Sequence, residues 1–135
     1  MPNELSEKVY PDGTVVKLRD DTAREMMSYS KQTFTTTSYP LLNSDLVIIR
    51  FGKVVSILFR GFKNLTANTE NTIINALPSE FRPSETVHCA LLQGSSSFAM
   101  IRVIILSNGA IKVYPYGDAA VSGAGNMQGT FTYVI

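Results

Sequence analysis

From Gln32 onward the apolar residues fall in strand-length runs separated by turn signals, and they do not recur at helical spacing. Thr33 to Tyr39 is rich in threonine and aromatic residues. Leu46 to Phe51 and Val54 to Phe62 are β-branched runs parted by Gly52-Lys53. Glycine first in a two-residue loop predicts a type II′ turn, whose twist matches that of the flanking strands. That loop pairs Phe51 with Val54, Ile48 with Ile57 and Leu46 with Phe59. One face of the hairpin then carries Leu46, Ile48, Val55, Ile57 and Phe59. The other carries Val47, Ile49, Phe51, Val54 and Leu58, so both faces are apolar.

A second hairpin is predicted at Asn108-Gly109, a dipeptide suited to the two positive φ angles of a type I′ turn. A two-residue loop there pairs Leu106 with Ile111 and Ile104 with Val113. It places Phe98, Met100, Ile104, Leu106, Ile111 and Val113 on one face, with Ile101, Val103 and Ile105 on the other. Antiparallel sheets commonly expose one face to water and alternate accordingly. Doubly apolar hairpins therefore call for a covering layer. After Lys31 the one helical candidate is the short stretch from Thr69 to Ala76, so a neighbouring subunit is the expected cover.

Between the hairpins, Val87, Cys89 and Leu91 alternate with Thr86, His88 and Ala90, which predicts one half-buried strand over 86–92. Phe131, Tyr133 and Ile135 form the apolar face of a last strand. The serine tract at 94–97 and the glycine-bearing segment from Gly117 to Gly129 are expected to be loops. About seven strands with turn signals between them predict an all-β fold, an antiparallel β-sandwich of jelly-roll-like type.

Residues 1–31 differ from the rest. They hold six of the eleven acidic residues and no long apolar run. Pro11-Asp12-Gly13 is a turn signal, and Thr14 to Leu18 is a candidate strand after it. Thr22 and Glu25 fit a capping box that opens a short helix from about Asp21 to Ser30. The expected organisation is an N-terminal helical shoulder or linker at 1–31, then a β-sandwich head at 32–135.

The order of the C-terminal motifs carries a resemblance. Leu77-Pro78-Ser79-Glu80-Phe81-Arg82-Pro83-Ser84 precedes a strand, a strand-Asn108-Gly109-strand hairpin follows, and Phe131-Thr132-Tyr133 closes the chain. This order resembles the C-terminal head domains of bacteriophage tail-fibre and baseplate receptor-binding proteins. Counting the preceding hairpin, the likeness covers well over half of the chain. Leu18-Arg19-Asp20-Asp21-Thr22-Ala23-Arg24 is similar to phrases between stalk and head in such tail proteins. The resemblance implies a homotrimer in the virion, at the tail tip or baseplate, contacting other phage tail or baseplate proteins. It implies a head that binds a host cell-surface saccharide without cleaving it. The alternative is a structural trimerisation module with no ligand of its own.

Composition narrows the function classes. Charged residues make up only 17% of the 135, and buried subunit interfaces are one way a surface does without charge. A net charge of +1 offers no electrostatic footprint for nucleic acid. The apolar stretches are strand-length and punctuated by Arg50, Arg60 and Arg102, so no membrane insertion is expected. No apolar run follows Met1, so no signal peptide is expected. Cys89 is the single cysteine, which leaves no intrachain disulfide and no cysteine-based zinc cage.

The chemistry-bearing residues do not assemble into a catalytic pattern, and no enzyme, cofactor or metal is expected. His88 and Cys89 are neighbours on one strand and point to opposite faces, which separates nucleophile from base. Asp45, Glu70, Glu80, Glu85 and Asp118 are scattered over separate loops, where nothing selects a glycosidase pair. The glycines at 117, 123, 125 and 129 lack a following lysine, and no helix is expected there, which excludes a P-loop. Asn64-Leu65-Thr66 matches a glycosylation sequon, which matters only in a secreted eukaryotic protein. For Arg50, Arg60 and Arg102 the readings are a place at strand ends, hydrogen bonds to carbonyls or carboxylates of a neighbouring chain, or a grip on an anionic group of a polysaccharide. The favoured ligand-binding group is Tyr114, Tyr116 and Asp118, because aromatic faces stack on sugar rings and a carboxylate accepts from hydroxyls.

Overall fold

The computed structural model describes residues 7–9, 15–17, 29–93 and 99–135. Its strands are β1 (Glu7–Val9), β2 (Val15–Lys17), β3 (Tyr29–Phe34), β4 (Leu46–Phe51), β5 (Val54–Arg60), β6 (Asn71–Ile74), β7 (Val87–Gln93), β8 (Ala99–Ile105), β9 (Ile111–Pro115) and β10 (Gln128–Val134). Strands β1 and β2 pair with each other, and β2 falls inside the strand expected at 14–18. The remaining eight make two antiparallel four-stranded sheets, ordered β10-β5-β4-β3 and β6-β9-β8-β7. The fold is all-β and sandwich-like, as the run pattern predicts. The first sheet is a meander closed by β10. In the second, β6 lies beside β9 instead of β7, a Greek-key return of the kind from which jelly rolls are built.

The first hairpin forms in the expected register, with Phe51 opposite Val54 and Ile48 opposite Ile57. Gly52 has φ +62° while Lys53 is not among the positive-φ residues, as a type II′ turn requires. Leu46, Ile48, Val55, Ile57 and Phe59 are buried. They pack against Leu91, Ile101, Val103, Ile105, Ile111 and Val113 of the second sheet in one core.

The second hairpin departs from expectation by one residue. Ile105 lies opposite Ile111 and Val103 opposite Val113. Gly109 N–H donates to the Leu106 carbonyl at 2.8 Å, and Leu106 N–H to the Ala110 carbonyl at 2.9 Å. Gly109 has φ +90° while Asn108 is not left-handed, so the loop is three residues, a type I turn followed by a glycine bulge. A one-residue slip moves a strand's side chains to the other face relative to its partner. The core face therefore carries Ile101, Val103 and Ile105 with Ile111 and Val113. Met100, Arg102 and Ile104 share the outer face with Lys112 and Tyr114. This hairpin has one apolar face and one mixed face.

The helix expected over 21–30 lies outside the described residues except Tyr29 and Ser30, which open β3, so the sandwich begins ahead of Gln32. The segment 69–76 supplies a strand, where β-branched Thr72, Ile73 and Ile74 favour extended backbone. The segment 117–129 is not all loop. It holds a short helix, α1 (Asp118–Gly123), and a 3-10 turn at Ala124–Asn126, with Ala120 and Ala124 fully buried. The serines at 95–97 lie outside the described residues.

A buckle at Leu77–Pro83 joins the sheets. Leu77 and Phe81 are fully buried on either side of Pro78 and a 3-10 turn at Ser79–Phe81. On the first sheet's inner face Ser30, Arg50, Val55 and Tyr133 form one row across all four strands. Three of them bond the buckle. Tyr133 Oη donates to the Phe81 carbonyl at 2.6 Å, Arg50 Nη1 to the Glu80 carbonyl at 2.9 Å, and Ser30 Oγ to Glu80 Oε2 at 3.4 Å. On the other side Leu77 N–H donates to the Gly109 carbonyl at 2.8 Å. Arg82 Nε closes the segment on itself through the Leu77 carbonyl at 2.7 Å.

Two predictions follow from this buckle. Tyr133→Phe leaves the buried Phe81 carbonyl unpaired and should cost about 1–3 kcal/mol in urea unfolding. A Cβ on Gly109 would stand 2.6 Å from Leu77 N, whereas one on Gly117, also left-handed at φ +84°, meets nothing. Gly117→Ala should therefore cost only backbone strain, about 1–3 kcal/mol, and Gly109→Ala that strain plus the clash with Leu77. Equal losses at the two positions would contradict the close approach.

Candidate functional site

The second sheet's outer face brings the two tyrosines favoured from sequence together with one of the three strand arginines, Arg102. Register sets Arg102 of β8 between Ala90 of β7 and Tyr114 of β9. The Arg102 guanidinium carbon lies 5.5 Å from the centre of the Tyr114 ring, a cation–π contact. Tyr114 in turn meets Tyr116, with ring centres 4.9 Å apart and planes inclined at 51°. Tyr114 is half-buried between these neighbours, while Tyr116 is 43% exposed.

The strand end beneath this ladder is fixed by the backbone. Tyr116 N–H donates to the Met100 carbonyl at 3.1 Å and so extends the β8–β9 pairing. Gly117 N–H donates to Asn68 Oδ1 at 3.0 Å, while Asn68 N–H donates to the Pro115 carbonyl at 2.8 Å. The left-handed Gly117 then turns the chain into α1, whose first residue is the exposed Asp118. Of the three residues favoured from sequence, the structure brings Tyr114 and Tyr116 into contact. It places Asp118 beyond them, at the start of the helix.

Arg102 completes the group, and the sequence reading did not join it to the tyrosines. A two-residue turn at Asn108-Gly109 would set Arg102 opposite Pro115; the three-residue loop sets it opposite Tyr114. The arginine Nε is buried and has no hydrogen-bond partner among the described residues. The other arginines are differently employed. Arg50 donates to the Gly52 and Glu80 carbonyls, a structural role within its own chain. Arg60 is exposed and lines an open groove of about 430 Å³ with Leu58, Phe59, Gln128, Gly129 and Thr130. That groove lies on the first sheet and includes none of the favoured residues.

Three of the scattered carboxylates have local partners. Asp45 Oδ1 accepts from Thr36 N–H at 3.1 Å, Glu80 Oε2 from Ser30 Oγ at 3.4 Å, and Glu70 pairs with Lys112 at 3.5 Å. No cluster of three or more His, Cys, Asp or Glu suited to a metal occurs among the described residues. His88 is exposed and Cys89 half-buried toward the core, the opposite facing that strand geometry demands. Among the described residues no helix is long and apolar enough to cross a membrane. No protein-family model matches the chain. No curated protein matches it either.

Burial raises the Cys89 thiol from 9.0 to about 11 and pushes the Tyr133 hydroxyl up as well. Both groups hold their protons more tightly in the folded chain than in the unfolded one. The folded state therefore loses stability as pH rises through the window from about 9 to about 11 that Cys89 sets. At pH 8 the two-unit shift leaves about a hundredfold less thiolate than in the unfolded chain. Iodoacetamide should label the native protein slower by about that factor, with a rate still climbing above pH 9. Equal rates in native and urea-unfolded protein would place the thiol in solvent.

Proposed function

We propose that this chain is the C-terminal head of a phage tail-fibre or baseplate receptor-binding protein, located in the virion, that binds a host cell-surface saccharide without cleaving it. The observation that carries the reading is the contact of Tyr114 with a well-exposed Tyr116 on an open sheet face. Such rings offer rigid, amphipathic area for a sugar face at small entropic cost. Asp118, further along the same end, supplies an acceptor for hydroxyls. The order of the Leu77–Pro83 phrase, the hairpin and the Phe131–Tyr133 strand supports the assignment to tail heads.

The head acts as a homotrimer in this reading, with other tail or baseplate proteins as its further partners. A row of exposed apolar side chains supports the assembly. Tyr29, Phe51, Val54 and Val134 lie side by side across the four strands of the first sheet, each between 43% and 65% exposed. Three weak sugar sites on one trimer gain avidity through effective concentration. The same row favours the second reading, a structural trimerisation module with no ligand of its own.

Light scattering in dilute solution should give three times the chain mass; a clean monomer sinks the trimer in both readings. Labelled protein should adsorb to host cells. Tyr116→Ala should weaken adsorption by about tenfold per site, with a smaller loss for Asp118→Ala and unchanged melting temperatures. A well-folded trimer that adsorbs to no plausible host would leave the structural module standing. Unchanged adsorption by both variants would move the site elsewhere, and the Arg60 groove would be the next place to substitute.

A further inference from the structure

We infer that the ligand of the Tyr114–Tyr116 face is an anionic saccharide, a sugar carrying a carboxylate or phosphate, and that Arg102 holds its acid group. This rests on the saccharide-binding reading above and adds to it the charge of the ligand. One donor of a guanidinium is left without a partner among the described residues. Arg102 sits mid-strand, its Nε is buried, and that donor has no partner. Its neighbours along the face are Met100 and Ile104, and across the strands Ala90 and Tyr114. Apart from the Tyr114 hydroxyl, none of these side chains offers an oxygen acceptor.

Among the described residues the acidic groups do not fill the gap. Glu70 is paired with Lys112 at 3.5 Å, and Asp118 stands at the far strand end, beyond Tyr116. The Tyr114 ring attracts the guanidinium but accepts no in-plane hydrogen bond, so it leaves Nε without an acceptor. A guanidinium held this way fits a carboxylate or phosphate through paired N–H donors. Buried polar groups left without partners are uncommon, and a ligand that completes them is one physical explanation.

The spacing fits a single sugar unit. Tyr116 is the next position along the face from Arg102's row, a step of two residues or about 7 Å. An acid group against Arg102 therefore leaves its pyranose ring over Tyr116, with hydroxyls directed toward Asp118. The carboxylate there repels an acid group in the reverse orientation, which gives the site a polarity.

The test is a titration of the isotopically labelled wild-type chain, followed by NMR of its backbone amides. Four probes are compared: glucose, glucuronate, glucose 6-phosphate and inorganic phosphate. The expected result is that one or both sugar acids shift signals around Arg102, Tyr114 and Tyr116 with affinity roughly tenfold above glucose. The stronger of the two acids tells carboxylate from phosphate. Arg102→Met should reduce the sugar acids to the level of glucose, and Arg102→Lys should keep part of the gain through charge alone. If Arg102→Met does not fold, the wild-type comparison and Arg102→Lys still decide. Glucose binding as tightly as its acids at this face overturns the anionic inference and leaves the saccharide reading intact. Phosphate binding without either sugar acid, unchanged binding by a folded Arg102→Met, or no shift from any probe also overturns the inference. Cell adsorption, measured separately, decides the broader reading.

Discussion

The arrangement depends on the buckle at Leu77–Pro83. Two four-stranded sheets with apolar inner faces gain free energy by facing each other, yet hydrophobic contact is non-directional and does not choose their alignment. Directed hydrogen bonds choose it. Phe81 and Leu77 enter the core as anchors, while the backbone around them is bonded by Tyr133, Arg50 and Ser30 on one side and by the Gly109 turn on the other. A single segment of seven residues thus references every strand of the first sheet except β5 and the central hairpin of the second. The sequence of this segment has a physical reason to read as it does. Leucine and phenylalanine fill the core, proline enters the 3-10 turn, and arginine closes the segment on the leucine carbonyl.

The same constraint reaches the candidate site through the β8–β9 turn. Gly109 must be glycine because of its positive φ and because Leu77 passes within contact of where a Cβ would stand. The close approach and the left-handed bulge are two aspects of one geometry, and together they fix a three-residue loop. That loop sets the register, and the register sets Arg102 against Tyr114. The cation–aromatic ladder on the outer face is thus a downstream consequence of packing on the inner one.

Legibility in the sequence follows from where each signal is local. The Gly52-Lys53 hairpin was readable because one glycine determines a two-residue loop, and both flanking faces were apolar whichever way the strands slid. The alternation in 86–92 and the last strand were readable for the same reason. Asn108-Gly109 misled because the dipeptide suits a two-residue I′ turn and also the last two positions of a three-residue loop. A cue was present in the pattern. The three-residue register collects Arg102, Lys112 and Tyr114 on one face and leaves Ile101, Val103, Ile105, Ile111 and Val113 together on the other. The Tyr114–Tyr116 contact was legible as same-face neighbours on one strand. Arg102 was not, since its partnership crosses strands and inherits any error in register. The helix at 118–123 was hidden by its glycines, although the run Ala119-Ala120-Val121 has helix-forming alanines at its centre.

The two outer faces are chemically unlike, and in a sandwich they look in opposite directions. The first presents Tyr29, Phe51, Val54 and Val134 in one row, backed by a Ser56–Thr132 hydroxyl pair at 2.9 Å in the next. Water gains little from such a row, and covering it with another subunit would recover apolar area; Lys31 follows in the next row and Arg60 farther along the same face. The second face carries a guanidinium, two tyrosines, an exposed histidine and a salt bridge, groups costly to bury against a flat apolar surface. An assembly built on the first face leaves the second open to solvent on every subunit. The corrected register matters most here. With the second hairpin doubly apolar, both faces would have called for cover and the sandwich would have had no free side. With Arg102, Lys112 and Tyr114 turned outward together, the need for cover is confined to one sheet, and the other carries a mixed polar face.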